Sequence, residues 1–170
     1  MHNSIFMGAG ANLPHERYGS PRQTLEAALV ELGRRGVRTV RVSPWYRTAP
    51  VPASDQPWFE NAVVEVASEL PADGLLATLH AVELAFGRAR TVPNAARPID
   101  LDLLDYRGEI APGGPGKATL PHPRMAGRAF VLRPLADLAP DWRHPATGQA
   151  IQDLLAALPA DQVAERAVSP

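Results

Sequence analysis

The chain has 170 residues, with 17 Lys and Arg against 18 Asp and Glu for a formal net charge of −1, and 45% of its residues are hydrophobic. The balance excludes the basic footprint of a nucleic-acid or anionic-membrane binder; the lack of cysteine excludes disulfides, Cys-ligated zinc and a thiol nucleophile, and fits a reducing cytoplasm. The length suits one domain with one core, and with no signal-type N-terminus and no run of about 18 apolar residues a cytoplasmic protein is expected.

In chain order, Ile5 to Leu13 reads as a first strand entering a small-residue turn, where Gly8 and Gly10 suggest close approach by a neighbour or ligand, or simply a structural turn. Ser20-Pro21-Arg22-Gln23 is a capping box with proline at the first helical position, and Leu25, Ala28, Leu29 and Leu32 carry the helical repeat as far as Gly36. Val37 to Ser43 predicts a second strand. Pro44, Pro50, Pro52 and Pro57 then mark a long loop, of a length that is usually functional. A third strand from Phe59 to Val66 puts Phe59, Asn61 and Val63 on one face. An aromatic beside an amide can sandwich and hydrogen-bond a flat heterocycle; a core phenylalanine with a loop-pinning asparagine gives the same pattern. Leu75, Leu79, Val82 and Phe86 mark the buried face of a second helix closed by Gly87, and His80 and Glu83 share another face, the usual place of a solvated polar pair.

The stretch from Arg97 to Leu104 sets a carboxylate at every second position of an apolar strand. Asp100 and Asp102 share a face, their Cα atoms roughly 6 to 7 Å apart, with Ile99, Leu101 and Leu103 on the other. Neighbouring acids repel, so a cation over them is expected, and Mg²⁺ takes one or two carboxylates plus substrate phosphates. An edge strand with a wet polar face is the alternative. Arg88, Arg90 and Arg97 stand close before the acids, as phosphoryl transfer requires. Residues 107–109 read as a turn and 111–117 as a mobile or turn-rich loop whose Gly116-Lys117 lacks the rest of a P-loop. His122 lies between two prolines in a basic segment with Arg128. Trp142 to Gly148 predicts a tight hairpin, and Ile151 to Leu158 a final helix.

The element order is that of a ferredoxin-like βαββαβ sandwich, an α+β fold with a mostly antiparallel sheet flanked by helices, expected here as a single domain over 1–170. That fold alone names no function. The motifs carry more: Tyr46-Arg47-Thr48-Ala49-Pro50; Asp55-Gln56-Pro57 with Phe59-Glu60-Asn61-Ala62; Glu83 with Gly87-Arg88-Ala89-Arg90; Arg97-Pro98-Ile99-Asp100-Leu101-Asp102; and Leu120-Pro121-His122-Pro123-Arg124 with Arg128-Ala129-Phe130. In this order, from about residue 5 to residue 142, they closely resemble the 6-hydroxymethyl-7,8-dihydropterin pyrophosphokinase family of folate synthesis.

The resemblance implies transfer of pyrophosphate from ATP to the pterin hydroxymethyl group, with release of AMP. It implies two Mg²⁺ on Asp100 and Asp102, and a catalytic set of these acids with Arg88 and Arg97. Arg90 and Arg97 would reach phosphates, with Thr91 to Ala96 as a lid; His80, Glu83, Leu103, His122 and Arg128 would complete the ATP site. Phe59 and Phe130 would stack on the pterin, Asn61 would bond its amide edge, and the backbone around Thr48, Ala49 and Val51 would close the pocket. A monomer without nucleic-acid or membrane partners is expected. Three features depart from the family pattern: Ala49 stands for a common proline, Phe59 lies near a common stacking tyrosine, and Pro93 to Arg97 replaces a tryptophan-containing segment. A non-catalytic ferredoxin-like binder of nucleotide or RNA is the other class; the acidic balance and the missing RNP-type pattern weigh against RNA. Both metal carboxylates and four matching basic groups weigh against a dead nucleotide sensor. A glycosyltransferase reading of Asp-x-Asp would need a much larger nucleotide-sugar domain.

Overall fold

The computed structural model describes residues 2–87 and 99–168. Its centre is β1 (Ile5–Ala11), whose small and apolar residues let it be covered on both faces. On one side β1 pairs with β4 (Phe59–Ala67), from Ile5 opposite Val66 to Ala11 opposite Glu60. On the other it pairs with β5 (Asp100–Tyr106), from Ile5 opposite Tyr106 to Gly10 opposite Asp100. The outer side of β4 takes both β2 (Arg38–Val42) and β3 (Tyr46–Thr48), and every pairing is antiparallel. The order β5-β1-β4-β3, with β2 also on β4, is the ferredoxin-like arrangement expected from the element order.

Helices cover the two faces. The first carries α1 (Pro21–Arg34) and α2 (Ala72–Ala85), whose Leu25, Leu32 and Leu79 pack with Ile5, Met7 and Leu101. The Ser20–Gln23 capping box forms as expected, Gln23 N donating to Ser20 Oγ at 3.2 Å and Ser20 N to Gln23 Oε1 at 2.9 Å. The second face carries α3 (Ala129–Leu138) and α4 (Ile151–Ala156), where Leu132, Leu135 and Ile151 meet Phe6, Val63 and Leu104. Each fully buried leucine stabilises by roughly 1.5–3 kcal/mol, so both layers hold the sheet. The helices of the second face leave part of it open, over Gly10, Asn61 and Asp100.

Several elements differ from the sequence reading. The long loop after Pro44 contains β3. Ser43 stays bound to β4, its N–H on Val63 O at 2.9 Å and its Oγ accepting Val63 N at 3.0 Å; Pro44 has no N–H to give, so the ladder breaks there and resumes at Tyr46. Residues read as a mobile or turn-rich loop form a hairpin of β6 (Ala111–Gly114) and β7 (Lys117–Leu120), with Gly114 and Gly116 in the positive-φ conformations its turn needs. The turn after Trp142 closes through a bridge between Arg143 and Ala150, and the final helix stops two residues short, at Ala156. A last strand, β8 (Ala164–Arg166), pairs with β3 and has no counterpart in the sequence reading. No helix among the described residues is long and apolar enough to cross a membrane.

Candidate active site

Register builds the site. Gly10 lies opposite Asp100 on one side and Asn61 on the other, so three strands present these residues in one row across the open face. Gly8 lies opposite Asp102, and a Cβ placed on Gly8 would sit 3.9 Å from Asp102 Cβ, so the second carboxylate shares that face. Asp100 and Asp102 are half-buried, whereas Ile99, Leu101 and Leu103 are buried in the core opposite. The alternation expected of Asp-x-Asp is therefore present, with glycine rather than a bulky side chain facing each acid.

A cleft opens over this row. Phe59 and Asn61 of β4 line it, with Thr48 at the end of β3 and Ala49 and Val51 just after. Phe130 in the first turn of α3, Arg128 and Asp100 complete the wall, and Gly10 forms part of the floor. All six residues assigned to the pterin by resemblance thus lie on one cleft, together with one of the paired carboxylates. Asn61 is 7% exposed, and its Nδ2 donates to Thr48 Oγ1. Its Oδ1 turns towards Gly10, where any Cβ would overlap it. The amide is thus fixed at one end and offers an acceptor to the slot. The Arg128 guanidinium sits 5.2 Å from the centre of the Phe130 ring, so cation and aromatic wall are held together.

His122 stands at the edge of this region. Its Nδ1 accepts the Arg124 N–H at 3.1 Å, which leaves the ring proton on Nε2. Burial, then Arg128 and Arg124, push its pKa down to about 4 against the pull of Asp100, so the ring is neutral at physiological pH. His122, Arg128 and Asp100 are therefore electrostatic neighbours.

Glu83 corrects the reading of an ordinary solvated pair: it is fully buried, and its Oε2 accepts the Leu101 N–H at 2.8 Å. His80, one turn earlier, is half-buried. Leu103 is 4% exposed and packs in the α1–α2 core, which leaves its backbone as what it can offer a nucleotide. Arg88, Arg90, Arg97 and the Thr91–Ala96 segment lie outside the described residues. Asn12 was missed. Buried at the end of β1, its Nδ2 donates to Gln56 Oε1 at 3.0 Å and Pro57 O at 3.2 Å, tying the proline loop to the central strand. The signal was available as a lone amide following Gly10-Ala11 at a strand end.

Among the described residues no group of three or more His, Cys, Asp or Glu forms a ready metal cage. Two carboxylates on one strand face fit Mg²⁺ nonetheless, since that ion keeps waters and takes phosphate oxygens for its remaining positions.

Comparison with known proteins gives first a class, the kinases that transfer pyrophosphate. Residues 6–140 match the 7,8-dihydro-6-hydroxymethylpterin-pyrophosphokinase family, and the chain belongs to it. A 2-amino-4-hydroxy-6-hydroxymethyldihydropteridine pyrophosphokinase of Pseudomonas aeruginosa is 41% identical over 156 residues, covering 91% of each chain. The protein of the same name from Methylorubrum extorquens is 38% identical, covering 90% of this chain and 92% of that one. The folic acid synthesis protein fol1 of Pneumocystis carinii is 32% identical over 87% of this chain, which spans 19% of its length.

Proposed function

We propose that the chain moves the β,γ-pyrophosphoryl group of ATP to the hydroxymethyl oxygen of 6-hydroxymethyl-7,8-dihydropterin, giving the pterin diphosphate and AMP for folate synthesis. The observation that carries this reading is the cleft itself: a slot with two aromatic residues, a fixed amide acceptor and a carboxylate-bearing strand on its wall.

Phe59 and Phe130 hold the flat ring, and Asn61 Oδ1 accepts from its polar edge. Thr48 orients Asn61, and Asn12 steadies the loop that closes the slot. This points the hydroxymethyl group towards Asp100. Asp100 and Asp102 would hold Mg²⁺ beside the triphosphate, where the metal would supply charge neutralisation and polarisation of the phosphoryl oxygens. Arg128 meets phosphate charge at the mouth of the slot, neutral His122 donates from Nε2, and Arg88, Arg90 and Arg97 supply further bidentate donors. The hydroxyl oxygen attacks the β-phosphorus and releases its proton to water, the bond from that phosphorus to the α,β-bridging oxygen breaks, and AMP leaves with that bridging oxygen and its electron pair. Geometry and charge do most of the work, as in other phosphoryl transfers.

Phosphorus NMR of the reaction mixture tests the reaction type. A pterin diphosphate with AMP is expected; a pterin monophosphate with ADP would overturn it.

A further inference from the structure

The tail after α4 lies beyond the family match at residues 6–140, yet it is bonded to both walls of the cleft. Gln162 Oε1 accepts the Ala129 N–H at 2.8 Å, and its Nε2 donates to Gly127 O at 2.8 Å. The two bonds bracket Arg128 and precede Phe130, the pair that forms the α3 wall. Helix α3 has no side-chain cap from its own N-cap residue, Arg128, so Gln162 supplies from the tail an acceptor that the helix start lacks. The next residues grip the opposite wall. Val163 O accepts the Ala49 N–H at 3.2 Å, and Ala164 lies opposite Thr48 in the β3–β8 ladder. Further on, Arg166 bonds Asp137 Oδ1 at 2.8 Å, while Tyr46 OH donates to the other oxygen of the same carboxylate, joining β8, α3 and β3.

We propose that Gln162 is a positioning residue for the heterocycle slot, fixing the spacing between the Arg128–Phe130 wall and the Thr48–Ala49 wall. A three-residue span, 162–164, links the two walls through their backbones. A slot that sandwiches a flat ring depends on that width, because a misplacement of about 1 Å is enough to lose much of the benefit of orientation. This inference deepens the pterin reading and rests on it.

Gln162→Ala and Gln162→Glu are compared with the wild type by fluorescence titration with 6-hydroxymethylpterin, calorimetric titration with Mg·ATP, and thermal melting. Gln162→Ala is expected to weaken pterin binding about tenfold, with Mg·ATP affinity moving less than about threefold and the melting midpoint falling by no more than the few degrees that the unpaired Ala129 N–H accounts for. Gln162→Glu keeps an acceptor for Ala129 but loses the donor to Gly127 O, and is expected to recover only part of the loss. Unchanged pterin binding in Gln162→Ala, or equal losses of both ligands with a lowered midpoint, overturns the positioning role while leaving the pterin reading intact. Failure of the wild type to bind the pterin overturns both.

Discussion

Glu83 Oε2 accepts the backbone N–H of Leu101 at 2.8 Å, at the one residue that separates the two paired carboxylates. A fully buried acid on α2 thus anchors β5 between Asp100 and Asp102. Glu83→Ala leaves a buried N–H unpaired, and a loss of roughly 1–3 kcal/mol in unfolding free energy is expected, with Glu83→Gln costing less because it keeps a carbonyl acceptor. Urea melts of the three proteins measure this. Unchanged stability with a selective loss of ATP binding would make Glu83 a nucleotide ligand and not a strand anchor.

Gly10 is open floor for the slot only because it has no side chain. In Gly10→Ala the new methyl would overlap Asn61 Oδ1, so Asn61 must swing away and break its bond to Thr48. Pterin binding is expected to fall more than about tenfold, in line with the roughly 1–3 kcal/mol cost of a displaced buried polar group. Fluorescence titration checks it; native pterin affinity in this variant would show that Asn61 does not need its observed position.

Asn61→Ala removes the acceptor without filling the slot. The heterocycle's polar edge then has no partner in the slot, which corresponds to roughly 1–3 kcal/mol of pterin affinity. Mg·ATP binding should stay put. Parallel losses in calorimetric titrations of both ligands would point to collapse of the whole face.

The individual strand faces were legible in the sequence. A period of two placed Asp100 with Asp102, and Phe59 with Asn61, without any tertiary information. What joins the two sets is antiparallel register across Gly10, and register is a non-local property that alternation within each strand does not determine. Burial of Glu83 was hidden for a similar reason: its partner is a backbone N–H in another element, which no side-chain pattern reports. The three-residue β3 hid among prolines, and Gln162 lay in a tail with no periodicity at all. The six residues that the resemblance assigns to the pterin line one cleft, a grouping that whole motifs carry and local pattern does not.

His122 gives a pH dependence of defined sign. Its folded pKa is lowered to about 4 by burial and by Arg128 and Arg124, whereas the unfolded side chain titrates near 6.5. As pH falls the unfolded chain binds the proton first, so His122 has no effect on stability above about 6.5 and destabilises increasingly from there down to about 4. His122→Gln should therefore flatten the stability profile across that window. Proton NMR of the His122 ring provides the direct reading; a midpoint near 6.5 would contradict its placement beside Arg128.

The most direct measurement is AMP release from Mg·ATP by the wild type and by Asp102→Asn, each with and without 6-hydroxymethyl-7,8-dihydropterin. An amide is a poor ligand for a hard cation, so the variant should keep the wild-type fold and circular dichroism and lose nearly all turnover. The expected result is AMP that appears in the wild type only with the pterin, mole for mole with pterin diphosphate, and falls by at least about a hundredfold in the variant. AMP release independent of the pterin, or wild-type turnover in Asp102→Asn at saturating Mg²⁺, would contradict the assignment of this cleft.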